Sequence, residues 1–218
     1  MKNGKKRVSK KDTYLELRKT FYECRNFEIN NLWQKSVLLT AFIVLTFTVY
    51  VSIISRIFDV SNPINKIVIH EICSSIALVG FVFAIIWIKM GKGSKAWYEV
   101  YEHAICEIER EQEIDIPEKY AMGRSATYSY PDANIFTSKG GKYSPSKLNI
   151  LIGRVIMFVW VIIFISHTIN IFFLINKEIL NNNCPVPYVI LEVLLFISFI
   201  IIFITAVCNV WAKSSFFD

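Results

Sequence analysis

Hydrophobic and polar positions along this chain are separated into long blocks rather than interleaved. No Asp, Glu, Lys or Arg occurs from Ser36 to Ser55, from Ile72 to Ile88, from Val155 to Asn176 or from Val193 to Ala212. A soluble domain alternates apolar and polar residues at a period near 2 or 3.6. Unbroken apolar runs of roughly 20 residues instead match the length a helix needs to cross about 30 Å of hydrocarbon. With interfacial residues added, the pattern predicts helices over 36–56, 67–89, 149–174 and 188–211. The expected fold class is all-α: an integral membrane protein with four transmembrane helices in two hairpins and cytoplasmic amphipathic helices. About 35 polar residues precede the first apolar run, which is too long for the core of a signal peptide and lacks a small-residue cleavage site after it, so it is expected to remain in the mature protein.

Between the apolar runs the period becomes helical. The expected organisation is a basic N-terminal helix region (1–35), a first hairpin (36–89), a helix and aromatic loop (90–148), a second hairpin (149–211) and a tail (212–218). Thr13-Tyr14-Leu15-Glu16 has capping-box spacing, which predicts a helix start at Thr13, with Tyr14, Leu17, Phe21 and Cys24 forming one apolar stripe. A second helix is expected to start at Gly93-Ser94 and run to about Ile114. Its apolar stripe, Trp97, Tyr101, Ala104, Ile105 and Ile108, is a candidate assembly face, while Glu99, Glu102, Glu109 and Glu113 populate the rest. An acidic polar face is repelled by anionic lipid, so the stripe is expected to pack on protein, the N-terminal helix being the nearest partner. Residues 115–145 read as loop, punctuated by Pro and Gly, with Tyr120, Tyr128, Tyr130, Phe136 and Tyr143 interspersed. Ser144-Pro145 then signals the start of helix three.

The charge distribution gives an orientation. The 218 residues are 54% hydrophobic, with 24 Lys and Arg, 18 Asp and Glu and a net charge of +6. Only Arg56, Lys66 and Lys177 fall on one side of the four predicted spans; every other basic residue falls on the other. Basic residues near span ends are retained in the cytoplasm. Both termini are therefore expected there, in a bacterial inner membrane, and the excess charge does not require direct nucleic-acid binding. Lys5, Lys6 and Arg7, in a run without acids, together with Trp33 and Arg154 at span ends, are candidate membrane-surface anchors.

Motifs for chemistry are lacking. The sequence holds no nucleophile elbow, zinc-protease helix, P-loop or dinucleotide fingerprint. His70, His103 and His167 lie in three different segments, and Cys24, Cys73, Cys106, Cys184 and Cys208 form no CxxC pair. No enzymatic activity, cofactor or metal is expected. Ionisable groups inside a span are costly and are by default functional hypotheses. His167 and Glu192 fall at similar depth on helices three and four, which makes them a candidate pore mouth; separate solvation of two interfacial groups is the plainer alternative.

The Trp87-Ile88-Lys89-Met90 exit from helix two, the run Lys92-Gly93-Ser94-Lys95-Ala96-Trp97-Tyr98-Glu99-Val100-Tyr101-Glu102 and Ile108-Glu109 resemble small bacterial membrane proteins of the RipA family of octameric membrane proteins. The membrane accessory protein of an RNA-targeting CRISPR system looks like a relative. The resemblance covers mainly residues 70–155 and implies a ring-shaped homo-oligomer around a pore, with the cytoplasmic helices as assembly domain. Helices three and four form an added hairpin that some members lack. The leading expectation is thus an oligomeric channel or pore, acting as an inner-membrane permeabilising effector, whose partners are the lipid bilayer, further copies of itself and a cytoplasmic protein or signal. The alternative is a non-conducting scaffold that recruits a cytoplasmic partner.

Overall fold

The computed structural model describes residues 9–111, 114, 116–117, 120–122, 144–180 and 186–207. Among them the chain is all-helical: α1 Lys10–Ile54, a 3-10 turn Ser55–Phe58, α2 Pro63–Arg110, α3 Pro145–Leu180 and α4 Val186–Val207. All four helices are long and apolar enough to cross a membrane. The expected four-span, all-α class therefore holds.

Two expected helix starts are corrected. The N-terminal helix begins at Lys10, not Thr13, and Thr13 is already in its first turn, with its amide and its hydroxyl both donating to the Ser9 carbonyl at 3.1 and 3.3 Å. A hydroxyl turned back on a carbonyl four residues earlier cannot cap the amides ahead of it. This helix then continues into the first span without a break, giving 45 residues in α1. Likewise no new helix starts at Gly93. Gly91 and Gly93 lie inside the 48-residue α2, although each glycine disfavours a helix by about 1 kcal/mol. The turns beyond them pack on α1, and Lys95 pairs with Glu99 one turn on, so tertiary contact outweighs the local cost.

Other ends follow the local sequence. Asn62 caps α2: its Oδ1 accepts from the Ile64 amide at 2.9 Å, and Pro63 occupies the first helical position, where its missing N–H costs nothing. Ser144 precedes Pro145 at the start of α3, and its carbonyl accepts from the Leu148 amide at 3.0 Å.

The described chain divides into two compact units, Met1–Lys35 with Met90–Leu148, and Ser36–Lys89 with Asn149–Asp218. In the first, the two helical segments run antiparallel. Arg18 pairs with Glu109 at 2.7 Å and Arg25 with Glu102 at 2.8 Å, so the numbering falls on one segment as it rises on the other.

The second unit contains the spans. Buried positions recur on α3 as Asn149, Gly153, Trp160, Phe164, His167, Ile171, Ile175 and Glu178, the three-, four- and seven-residue steps of a helix that packs along one seam. Their partners on α2 include Ile67, His70, Ala77, Phe81 and Trp87. The centre is aromatic. Trp160 stacks on Phe47 with ring centroids 4.2 Å apart, Phe164 stacks on Phe199 at 4.7 Å, and Phe81 meets Phe199 at 5.0 Å. Gly80 makes this possible, because the Trp160 indole lies where a Cβ would be. Towards the α3 start the core turns polar: the Trp87 indole N–H donates to Asn149 Oδ1, and Asn149 Nδ2 donates to Ser36 Oγ at 2.6 Å.

Candidate functional site

Beyond the aromatic centre, towards the end of α1 and the start of α2, lies a second polar layer built from all four helices. Residue 70 sits on the buried face of α2, two turns after Pro63, and residue 167 on the seam of α3. Their imidazoles meet with Nδ1 to Nδ1 at 2.7 Å. From α1, the Tyr50 hydroxyl lies 3.1 Å from Nε2 of the same His167. His167 is thus engaged at both ring nitrogens, inside a site where both histidines are buried.

The next residue on α2, Glu71, and the next on α3, Thr168, belong to the same layer. Glu71 is buried, and its electrostatic surroundings include Glu192 of α4. Thr168 lies beside Glu192. Glu71 Oε1, Ser74 Oγ, Thr168 Oγ1 and both Glu192 carboxyl oxygens are inaccessible and have no hydrogen bond of ordinary length among the described residues. Burying a polar group without a partner costs free energy that the surrounding apolar contacts must offset.

The candidate pore-mouth pair of the sequence, His167 and Glu192, lies in this layer. His167 turns to Tyr50 and His70, and its neighbour Thr168 takes the place beside Glu192. Neither presents its polar atoms to open water in the single chain. Ser166 and Asn170 are exposed and bond within α3, Ser166 Oγ to the Ile162 carbonyl and Asn170 Nδ2 to the Ser166 carbonyl. Sequence reasoning missed Tyr50, His70 and Glu71. The available signal was positional: His70 and Glu71 fall inside the predicted second span although the charge-free run starts only at Ile72. Among the described residues no group of His, Cys, Asp and Glu has the arrangement of a metal site.

In the first unit the stripe on α2 meets α1 of the same chain. Tyr101 lies 6.2 Å from Phe21 and 6.2 Å from Trp97 between ring centroids. Ile105 is fully buried; Ala104 and Ile108 are half-buried. Burial holds the Tyr101 phenol above its usual range. The acidic residues do not all face solvent as the sequence suggested. Glu109 is buried because three donors converge on its carboxylate: Arg18 Nε at 2.8 Å, the Tyr22 hydroxyl at 3.4 Å and the Met122 amide at 2.6 Å. Burial and then the Glu109 charge push the Tyr22 phenol up. Tyr120 is exposed, whereas Tyr128, Tyr130, Phe136 and Tyr143 lie outside the described residues, as do Lys5, Lys6, Arg7, Glu113, Cys184 and Cys208. The remaining anchor candidates, Trp33 and Arg154, are both exposed.

Tyr101→Glu introduces a carboxylate into this contact, where an unpaired charge costs several kcal/mol. The expected result is faster amide hydrogen exchange over residues 14–30 and 97–110 and a changed particle mass in detergent. Exchange and mass equal to wild type would show that the stripe carries no packing load.

A family model of octameric membrane proteins matches residues 15–169, well over half of the chain. The chain belongs to the octameric membrane protein family (8xMP). No curated protein and no solved structure matches it. The 8xMP match begins on α1 and ends on α3, wider than the 70–155 of the sequence resemblance, so α3 from Pro145 to Ile169 lies within the shared region. It includes Tyr50, His70, Glu71 and His167 and stops short of α4 and Glu192. The protein is accordingly an oligomeric membrane protein of this family.

Proposed function

We propose that the assembled oligomer is a channel whose conducting path runs between protomers, lined by one face of α1. The supporting observation is a stripe of exposed hydroxyls within the first span. Thr48 and Ser52 of α1, continued by Ser55 of the 3-10 turn, fall together with exposed Val44 and Val51 on one side, separate from the buried positions Ser36, Leu39 and Ile43. Each hydroxyl donates to a carbonyl of α1 at 2.8–3.1 Å. On a third side, Phe42, Leu45, Thr46 and Val49 join Ile72, Ser75, Ile76 and Val79 in an apolar groove of about 410 Å³. A helix with separate core, apolar and hydroxyl faces suits a ring in which the hydroxyl faces surround an axis. Ring-lining polar groups of this kind are a common basis of conduction. The aromatic centre fills the interior of each bundle, which favours a path between chains over one through a single chain.

The reading places the first unit in the cytoplasm, both termini there, and the protein in a bacterial inner membrane, following the basic residues. It has no enzymatic role. The resemblance to the RipA family and to the accessory protein of an RNA-targeting CRISPR system supports a permeabilising effector of antiviral defence, opened by a cytoplasmic protein or signal. The test is ion flux through the purified oligomer in lipid vesicles, compared with a Thr48→Cys variant before and after a charged thiol reagent. Flux that falls on modification of Thr48→Cys, with wild type unaffected, is the expected result. Intact oligomer without flux in the presence of its activator would transfer the assignment to the non-conducting scaffold.

A further inference from the structure

The polar layer at the end of α1 contains groups that the channel reading does not use. Two imidazole nitrogens 2.7 Å apart must have a proton between them, since two lone pairs at that distance repel. The bond therefore defines a proton position, and His167 Nε2, 3.1 Å from the Tyr50 hydroxyl, defines a second. One position further along α2, Glu71 has Glu192 of α4 in its electrostatic surroundings; Glu71 Oε1, Ser74 Oγ and both Glu192 carboxyl oxygens are inaccessible, and no ion pair to them is found among the described residues. Ser74 is fully buried and Glu71 nearly so, at 4% exposure.

We propose that Tyr50, His70, Glu71, His167 and Glu192 form a proton-binding site, and that proton exchange there controls how the four helices pack. The proposal deepens the channel reading by naming the ligand that regulates it, and it rests on that reading only for its effect on flux.

The hydrogen-bonded chain has two arrangements with equal numbers of protons. In the first, His70 carries its proton on Nδ1 and donates to His167 Nδ1, while His167 Nε2–H donates to the Tyr50 oxygen. In the second, Tyr50 O–H donates to His167 Nε2, His167 Nδ1–H donates to His70 Nδ1, and His70 carries its proton on Nε2. A proton taken up at His70 Nε2 in the first arrangement makes one imidazolium, with the Nδ1 proton shared between His70 and His167, so the imidazole pair stores one positive charge. Protonation of both imidazoles instead sets two N–H groups against each other at 2.7 Å and separates α2 from α3.

Every helix supplies a titratable or charged group to these surroundings. They are Tyr50 from α1; Lys66, His70, Glu71 and Cys73 from α2; His167 from α3; and Glu192 from α4. Glu178, three turns along α3 from His167, is buried and engaged with a partner. Lys66 is one turn before His70, near the α2 start at Pro63.

The test has two readouts on the lipid-reconstituted oligomer. The first is spectroscopic. Infrared difference spectra between acid and neutral pH should contain a carboxylic-acid band that is lost in Glu71→Gln or Glu192→Gln. Nitrogen-labelled histidine should show His70 and His167 titrating together, with His70→Gln altering the His167 signal. The second is flux against pH on the side of Asp59: wild type should change with pH, and the change should be lost in His167→Gln and in the milder Tyr50→Phe while the oligomer stays intact. Unaltered bands in both carboxyl variants, or imidazoles that titrate independently, would overturn the site. Flux with the same pH response in wild type and both relay variants would equally overturn it. Absence of flux at every pH would end the channel reading, and the spectra would then decide the proton site alone.

Discussion

Gly80→Ala should destabilise the span unit by about 3 kcal/mol, the upper end of what overpacking a well-filled core costs. A Cβ on residue 80 would fall 2.2 Å from Cε2 of Trp160 and 2.5 Å from its Cδ2. Neither atom is the end of a flexible chain. The indole is fully buried, stacked on Phe47 and edge-on to Tyr50 at 6.1 Å. It has no empty space to move into, so α2 and α3 must separate. The measurement is thermal unfolding in detergent, with tryptophan emission reporting the indole environment. Gly153→Ala is the graded comparison, because its Cβ would meet Ile88 Cγ1 at 3.0 Å and Trp87 Cδ1 at 3.1 Å, which a few tenths of an ångström of movement relieves. Trp160→Phe combined with Gly80→Ala should recover part of the loss. Equal stability of wild type and Gly80→Ala would mean that the seam tolerates side chains at this point.

Glu109→Ala should open the helix pair of the first unit, at a cost of roughly 2–4 kcal/mol. The variant leaves the Arg18 guanidinium, the Tyr22 hydroxyl and the Met122 amide without their shared acceptor. The Glu109 side chain is 2% exposed but that of Arg18 is 28% exposed, so water recovers part of the arginine's lost interaction and the figure stays below that of a fully buried pair. Glu107→Ala is the control: its pair with Arg110 is exposed on both sides, and loss of such a pair has little effect. Hydrogen exchange over residues 14–30 distinguishes the two variants. Equal protection in both would remove Glu109 as the clasp of this unit.

The spans were legible because a bilayer imposes a one-dimensional rule: a helix that crosses it must be apolar over its whole circumference, and a count of residues detects that. Ser144-Pro145 and Asn62-Pro63 were similarly local, since a cap acts on amides within its own turn. The continuity of α1 and α2 was not local. Thr13 and Gly93 carry the spacing of helix starts, and only packing within the first unit keeps the helix running past them. Arg18 and Arg25, like Glu102 and Glu109, are seven residues apart, which puts each pair on one face of its helix, but nothing in either segment says that the two faces meet.

Sequence by itself determined the four-span, all-α class, because hydrophobic length and charge exclusion are properties of each segment alone. It also supplied Glu192 and His167 as costly groups at similar depth. Only the tertiary structure decided that His167 turns to His70 and Tyr50, that Glu71 joins Glu192, and that Gly80 admits Trp160. These contacts join residues of different helices, with 97 positions separating His70 from His167. Which side chains share a layer depends on the rotation and register of packed helices, set by the sum of many weak apolar contacts along the seam rather than by any motif in one segment.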